Sequence, residues 1–244
     1  MALSHSNICK GCWQQMHVPV PLHGVLSMPF RLFGIRPSKM NPNTCTICEL
    51  MFTKVMKARK ITIDATILFA DLRGYTSLSQ SQSPEAVSGL LDAFYDDCAH
   101  AIWERDGLLN KTIGDAVMAI FNFPIGQGDH PRQAVLAAQD IQRRWNARRE
   151  MLGEQLGLAR AELGVGIGIH CGELSFGEFG RSHRDLTAIG TVVNLASRAQ
   201  SAAAAGEILV TQAVHDRAPS ELTGSQPQQR ELKGFEGTTT LYAA

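Results

Sequence analysis

Apolar residues recur at helical spacing in two long stretches of the chain. The first stretch begins after Ser83, a favoured helix N-cap residue, and Pro84 suits the first helical position. The second stretch covers about residues 131–149, with Asp129 near its start. Each pattern predicts an amphipathic helix that buries one face in a core. The predicted buried stripes are Val87, Leu90, Leu91, Phe94, Cys98 and Ile102 in the first helix, and Ala134, Val135, Ala138, Ile141 and Trp145 in the second.

A β-hairpin is predicted between these two helices. Residues 108–109 and 116–121 are apolar runs, and the polar segment between them contains Gly114. This pattern is typical of two strands joined by a tight turn. The tip of the predicted hairpin carries Lys111 and Asp115.

Three further apolar runs predict strands. Residues 67–70 lead into Asp71, which therefore lies at the carboxyl end of a strand, just before a glycine turn at Gly74. Residues 163–169 and 172–180 predict two strand segments joined at a glycine turn. The resulting order is strand, helix, two strands, helix, two strands. This order predicts an α+β fold with a ferredoxin-like sheet and helices on one face.

The first 57 residues contain two Cys-x-x-Cys pairs, formed by Cys9 and Cys12 and by Cys45 and Cys48. Four thiolates on two short turns match the ligand set of a tetrahedral Zn²⁺ site, and a segment this short has little core of its own. The 32 residues between the pairs exceed the roughly 15–20 of the usual zinc-ribbon pattern. An iron–sulfur cluster accepts the same ligands. Free thiols and two disulfides are the alternatives to a metal site.

The cysteine pairs suggest two parts of the chain. Residues 1–57 are expected to form a cysteine-rich module, ending in a short helix over residues 49–60 that connects directly to the first strand. Residues 58–244 are expected to form one larger domain, because 244 residues with 44% hydrophobic content can bury one substantial core.

Charge and hydropathy narrow the classes of partner. The 23 basic and 23 acidic residues cancel, and no run of Lys or Arg exceeds a pair. This composition predicts neither a nucleic-acid partner nor a membrane partner. The most apolar early stretch, residues 18–35, is interrupted by Pro, His and Arg, so we expect neither a transmembrane helix nor a signal peptide. The expected location is the cytoplasm.

Two sets of polar residues suggest chemistry on phosphates. Asp71 and Asp115 would suit Mg²⁺, which takes one or two carboxylates together with waters and substrate phosphates. A single aspartate after a strand also serves simply as a turn-former. If a helix begins after Gly190, Asn194 and Arg198 lie on one face of it, and a guanidinium suits phosphate oxygens. An exposed helical charge is the alternative for Arg198.

Three motifs together resemble the catalytic domain of the class III nucleotidyl cyclases, the adenylate and guanylate cyclase family. They are FADLRGYT at residues 69–76, LNKTIGDAVMAIF at residues 109–121 and RDLTAIGTVVNLASR at residues 184–198. The resemblance covers about residues 60–244. It implies that the α+β domain is a ferredoxin-like class III cyclase catalytic domain, preceded by a small, cysteine-rich, metal-binding module.

The resemblance also implies a role for each matching residue. Two Mg²⁺ or Mn²⁺ ions would be held by carboxylates, with one backbone carbonyl assisting, and the nucleotide would be held by polar and basic side chains. The implied metal ligands are Asp71, Asp115 and the carbonyl of Leu72; the base contacts are Lys111 and Thr187; Asn194 orients the ribose, Arg198 stabilises the transition state, and Lys233, in ELKGF, holds the triphosphate.

The implied substrate is ATP. Many family members have an aspartate at the position of Thr187, but the pair Lys111 and Thr187 is similar to the adenine-recognising pair of the bicarbonate-responsive subgroup. Asp185 is expected to be a bystander. Thr191 differs from the aspartate common at its position, with no role assigned.

The resemblance implies an adenylate cyclase that forms 3',5'-cyclic AMP and pyrophosphate and acts as a homodimer, with the cysteine module as a regulator. The alternatives are a guanylate or other nucleotidyl cyclase, or a metal- or redox-sensing regulatory protein with a low-activity cyclase domain.

Overall fold

The centre of the fold is strand β1 (Ile61–Arg73), which has a neighbour along each edge. The computed structural model describes residues 6–156, 163–180 and 185–244. On one side β1 pairs antiparallel with β3 (Ala116–Phe121), and on the other it pairs antiparallel with β4 (Gly164–Phe179) along its whole length. Leu68 and Ala70 lie on one face of β1 and are fully buried, as is Ile67 on the other, so the strand is covered on both sides.

Eight strands form one sheet within the described residues, in the order β2-β3-β1-β4-β6-β8-β7, with β5 paired to β4 outside this path. Only the β4–β6 pair is parallel in this described part of the sheet. The remaining strands are β2 (Leu108–Ile113), β5 (Asp185–Ile189), β6 (Ile208–Thr211), β7 (Pro227–Glu231) and β8 (Thr238–Ala243).

Helices cover both faces of the sheet, which corrects the expectation of helices on one face. Helices α5 (Pro84–Glu104) and α6 (His130–Leu156) pack on the face that contains Leu68 and Ala70. Helix α7 (Thr191–Ala202) packs on the face that contains Ile67. The apolar patterns could not show this, because a helix that buries one stripe gives the same pattern on either face of a sheet. The shorter helices are α1 (Lys10–Met16), α2 (Met28–Leu32), α3 (Thr46–Ala58), α4 (Tyr75–Ser81) and α8 (Gln212–Arg217).

Strand β4 is continuous where two segments and a turn were predicted. Gly172 lies within it at φ 155°, and the pairing with β1 continues through the registered pair Ala65 and Gly172. Glycine can mark a local irregularity inside a strand as well as a turn between strands. Here the pairing with β1 keeps Gly172 in the sheet. The length of β4 has a consequence: its first half pairs with β6 and its second half pairs with β5.

The two long helices confirm their sequence predictions. The Ser83 hydroxyl accepts a hydrogen bond from the Ala86 amide at 3.3 Å, and Pro84 is the first residue of α5. The predicted stripe of α6 is fully buried, and Trp145 packs edge-on against Phe94 of α5 with ring centroids 5.7 Å apart. Helix α6 continues beyond the predicted end, to Leu156.

The cysteine module lies against the turn between α5 and β2. Asn43 donates to the Trp103 carbonyl at 3.0 Å and to the Asp106 carboxylate at 2.7 Å, and Lys10 pairs with Asp106 at 2.5 Å. The Asn41 amide donates to the carbonyl of Gly107 at 2.9 Å. These bonds fix the module to the residues that immediately precede β2.

None of the helices in the described residues combines the length and the apolar character that crossing a membrane requires.

A direct backbone contact sets the position of α7 on the sheet. Gly168 of β4 lies under the helix, so close that a methyl group there would be 2.0 Å from the Gln200 amide nitrogen and 2.5 Å from the Ala196 carbonyl oxygen. No side chain larger than hydrogen fits between these two backbones, so any substitution at Gly168 must displace α7.

We predict that Gly168→Ala destabilises the fold by about 1–3 kcal/mol, because overpacking moves backbone that cannot yield cheaply. Gly89→Ala is the matched control, since Gly89 lies in α5 with no atom near the added methyl group, and alanine stabilises a helix interior by about 0.5–1 kcal/mol. Urea unfolding of both variants measures the two effects. Equal stability of the two variants would show that α7 does not depend on this contact.

Candidate functional site

The two predicted carboxylates lie side by side at the end of β1. Asp71 is registered against Ala116, and the Leu72 amide donates to the Asp115 carbonyl at 3.1 Å, so the hairpin tip is pinned beside the end of the strand. Burial raises the pKa of Asp71, and the negative charge of Asp115 raises it further, while the nearby Arg73 guanidinium opposes both. Two carboxylates that repel one another fit a divalent cation, which relieves the repulsion.

Arg73 is a neighbour that the motif did not identify. Its guanidinium lies 3.2 Å from an Asp71 carboxylate oxygen and also donates to the backbone carbonyl of Gln200 in α7. It fills the space beside Gly166, where a methyl group would lie 2.4 Å from its Nε atom. Arg73 therefore fixes the Asp71 side chain relative to α7.

Tyr95 of α5 holds the hairpin tip from the other side. Its hydroxyl donates to the carbonyl of Gly114, the residue before Asp115, and burial together with neighbouring acidic groups raises the Tyr95 pKa. The sequence carries no local signal for the contact between Tyr95 and Gly114, because that contact depends on how α5 packs against the hairpin. Gly114 has φ 60°, which suits the tight two-residue turn.

Lys111 lies inside β2, two residues before the strand ends, and not at the tip as predicted. Its ammonium group forms an ion pair with the Asp185 carboxylate at the start of β5. Asp185 was expected to be a bystander, and this contact corrects that expectation. The β2 register shifts between Leu109 and Lys111, and the Asn110 side chain donates to the Leu186 carbonyl at 3.1 Å. The Asn110 side chain, at this bulge, therefore links β2 to β5.

Thr187 lies two residues after Asp185, so the two side chains share one side of β5. Its hydroxyl lies 3.4 Å from the Ala188 carbonyl oxygen. Arg184, the first residue of the third motif, lies outside the described residues. The structure thus brings Lys111 to the strand that carries Thr187, with Asp185 as the direct contact.

Asn194 and Arg198 lie one turn apart on α7, as predicted, and α7 begins after Gly190, whose φ is 139°. Asn194 is exposed and Arg198 is half-buried. A cleft of about 370 Å³ brings Arg198 together with Lys233, which lies in the loop between β7 and β8. Two basic side chains on one cleft suit a ligand with several negative charges.

The Arg198 cleft and the carboxylate pair are distinct. The lining of the cleft consists of Arg198, Ser201, Ala202, Glu231, Leu232 and Lys233. Neither Asp71 nor Asp115 belongs to this set, so the cleft of one chain does not include the carboxylate pair.

The four cysteines of the N-terminal module converge on one point. Their sulfur atoms all lie within 4.8 Å of one another, and the Cys12 Sγ atom lies 3.5 Å from that of Cys45 and 3.4 Å from that of Cys48. A tetrahedral ion with metal–sulfur bonds of about 2.3 Å places its ligands roughly 3.8 Å apart. A disulfide bond would require about 2.05 Å. These separations are close to those around one metal ion, and all four cysteines are free thiols in the structure.

Burial completes the argument for a metal. All four cysteines are buried. As thiolates this close together they would repel one another, and a cation among them would relieve that repulsion. Since a cluster would spread the four thiolates over several iron atoms, their convergence fits a single ion better than an iron–sulfur cluster.

Comparisons with known proteins agree with this fold. Residues 57–243 match the sequence profile of the adenylate and guanylate cyclase catalytic domain. An adenylate cyclase from Anabaena cylindrica is 40% identical over 134 residues, which are 54% of this chain and 26% of that protein. Adenylate cyclase 1 from Rhizobium meliloti is 30% identical over 136 residues, 55% of this chain and 20% of that protein. The chain thus matches only about a quarter or less of each relative's length.

Two solved structures share the fold. The adenylyl cyclase CyaB from P. aeruginosa is 29% identical with a TM-score of 0.69, covering 76% of this chain and 95% of that one. The guanylyl cyclase Cya2 is 27% identical with a TM-score of 0.69, covering 75% of this chain and 92% of that one. The likeness therefore includes nearly all of each solved cyclase chain, whereas part of this chain lies outside it.

Proposed function

Since the chain belongs to the family of adenylate and guanylate cyclase catalytic domains, we propose that it is an adenylate cyclase that converts ATP into 3',5'-cyclic AMP and pyrophosphate. The observation that carries the proposal is the mutually repelling pair Asp71 and Asp115 at the end of β1. The relatives from A. cylindrica and R. meliloti are both named adenylate cyclases, which supports ATP as the substrate.

Different residues of this chain would bind the metal ions, orient the ribose and stabilise the developing charge. Asp71 and Asp115, with the Leu72 carbonyl, would hold two Mg²⁺ or Mn²⁺ ions. When bound, such ions lower the pKa of a coordinated hydroxyl and neutralise phosphate charge. Asn194 would orient the ribose, so that its 3'-oxygen faces the α-phosphorus in line with the leaving pyrophosphate. Arg198 would stabilise the charge that develops on the phosphoryl oxygens, as a planar guanidinium can.

Lys233 would bind the triphosphate. It shares the cleft of Arg198, so both cations act on the same polyphosphate. This arrangement keeps the leaving group in place while the ring closes, and positioning of this kind is a large part of phosphoryl-transfer catalysis.

Base recognition would fall to Lys111 and Thr187. The Lys111 ammonium carries three donors, so it can keep its bond to Asp185 and still donate to adenine N1. The Thr187 hydroxyl would accept from the exocyclic amine. Asp185 would thus position Lys111 without touching the base. The runner-up substrate is GTP, which the likeness to the guanylyl cyclase Cya2 supports.

Two copies of the chain would form the working enzyme. The carboxylate pair is not part of the Arg198 cleft of the same chain, and a head-to-tail homodimer would bring the metal aspartates of one subunit to the base, ribose and phosphate residues of the other. Such a dimer contains two equivalent sites.

The cysteine module would bind Zn²⁺ and regulate the enzyme. Its hydrogen bonds to the α5–β2 turn end at Gly107, four residues before Lys111. Ordering of the module therefore fixes the start of the strand that carries Lys111. This route adds to the connection through α3, which joins Cys48 to β1.

We predict that the purified chain forms cyclic AMP from ATP faster than any cyclic product from GTP, CTP or UTP. Thr187→Ala should lower kcat/KM for ATP about 5- to 150-fold and leave GTP less affected, because a lost base contact costs about 1–3 kcal/mol. Asp185→Asn should raise KM for ATP by up to about fivefold with kcat unchanged, since an exposed ion pair contributes about 0–1 kcal/mol.

The control for these base contacts is Asp216→Asn, which removes an exposed carboxylate on α8. Mass identification of the products with each triphosphate decides the substrate. A lower KM in Asp185→Asn would mean that Asp185 competes with the base instead of positioning Lys111.

A second prediction follows from an active site shared between two subunits. Asp71→Ala and Arg198→Ala should each be about a thousandfold or more slower than the wild type. Mixed in equal amounts, they should regain roughly a quarter of the wild-type rate, because half of the dimers are mixed and each mixed dimer holds one intact site of two. Heterodimers that form without regaining activity would contradict the shared site.

A third prediction concerns zinc binding by the cysteine module. The wild type should contain one Zn²⁺ per chain, and Cys45→Ser with Cys48→Ser should contain none. Because structural zinc contributes on the order of 10 kcal/mol to the folding of small domains, the double variant should lose the folded module. Its cyclase rate should change several-fold without being abolished.

The control is Cys171→Ala, a buried cysteine of β4 outside the cluster. Elemental analysis and the cyclase rate measure the two effects. Iron with an absorbing chromophore in protein purified without air would identify an iron–sulfur cluster, and an unchanged rate in the zinc-free variant would remove the regulatory role.

A further inference from the structure

A short segment of the cysteine module carries its apolar face outward. It comprises the 3₁₀ turn Val25–Ser27 and helix α2. Val25, Leu32 and Phe33 are 80%, 88% and 86% exposed. With Met28, these residues recur at the spacing of one helical face, which in a globular protein is normally the buried one. The apolar tip is defined here as Val25, Leu26, Met28, Leu32 and Phe33, all at least 62% exposed.

The segment that carries the apolar tip is held in place by packing and hydrogen bonds within the module. Its inward side holds Phe30, which packs against the buried cysteine cluster together with Ile35. The Ile35 amide donates to the Phe30 carbonyl at 2.9 Å, and the Ser27 hydroxyl donates to the Gly24 carbonyl at 2.7 Å. The four-cysteine centre therefore supports the segment that presents these apolar side chains.

Cations predominate near the tip, where one carboxylate, that of Glu49, accepts a hydrogen bond from Ser38 at 2.7 Å. The first 48 residues contain no Asp or Glu, but they contain Lys10, Arg31, Arg36 and Lys39. Lys10 pairs with Asp106 of the catalytic domain. The other three cations are exposed, and none of them forms an ion pair in the part of the chain that the structure describes. The balanced charge of the whole chain conceals this local excess.

We propose that the apolar tip inserts into the interfacial region of a membrane that contains anionic lipids, with Arg31, Arg36 and Lys39 facing the headgroups. A projecting apolar surface rimmed by cations is the arrangement of proteins that lie on a bilayer without spanning it. Exposed apolar side chains need no matching cavity in fluid acyl chains, whereas a partner protein would have to supply one. A second copy would oppose cations with cations.

This inference goes beyond the proposed cyclase activity, and it departs from the expectation, drawn from overall charge, of no membrane partner. Attachment would be peripheral. It would place the catalytic domain at a membrane surface whichever nucleotide the domain uses, so a failure of the lipid experiment leaves the proposed reaction untouched.

The experiment is sedimentation of the full zinc-loaded chain with vesicles. One set consists of phosphatidylcholine alone, and the other of phosphatidylcholine mixed with phosphatidylglycerol. The wild type should bind the mixed vesicles at least about tenfold more tightly than the neutral ones, and added salt should weaken this binding. The double variant Leu32→Glu with Phe33→Glu should lose binding to both, while Arg36→Gln with Lys39→Gln should lose the preference for anionic vesicles.

Met151→Glu is the matched control, because Met151 is also exposed but lies on α6, outside the module. Unchanged zinc content and unchanged cyclase rate without vesicles show that the tip variant is folded. Wild-type protein that stays in the supernatant with both vesicles would overturn the proposal in favour of a protein partner. A tip variant that binds as tightly as the wild type, or that changes the oligomeric state instead, would also overturn it.

Discussion

Strand β1 is hydrogen-bonded along both edges and buried on both faces, so its register is fixed in two directions at once. A slip of one residue would exchange the side chains that face α5 and α6 with those that face α7. The position of Asp71 follows from this constraint, because it comes directly after the buried run of β1. The position of Asp115 follows from the pairing of β3 with β1, since the register that sets Ala116 opposite Asp71 brings the hairpin tip to the end of β1.

Much of this arrangement could be predicted from local sequence. Ser83 and Pro84 begin α5 by interactions within one helical turn, and the hairpin around Gly114 follows from a turn between two short apolar runs. The contacts that escaped prediction join distant segments. Lys111 and Asp185 are 74 residues apart, and only the assembled sheet brings them together. Gly172 shows the opposite difficulty: it has the local signature of a turn, but pairing with β1 keeps the strand continuous.

The two predicted metal centres differ in how far their anionic ligands are exposed to solvent. Asp71 and Asp115 keep partial access to solvent, so weakly held hard cations and a nucleotide can exchange there. The four cysteines are fully enclosed and converge on one point, which suits an ion that remains bound and supports the fold. The turn at Asp106 and Gly107 lies between the two, since it receives the module's hydrogen bonds and leads into the strand of Lys111. A structural metal bound by the cysteines would thus bear on the groups that we propose to hold the substrate.

The contact between Gly168 and α7 concerns backbone atoms on both sides. The distance from the helix to the sheet is therefore set without any particular side chain on the helix. Substitutions on the flanks of α7 would therefore leave Asn194 and Arg198 at the same depth over the sheet. The small size of Gly168 alone sets the height of these two predicted site residues above the strands.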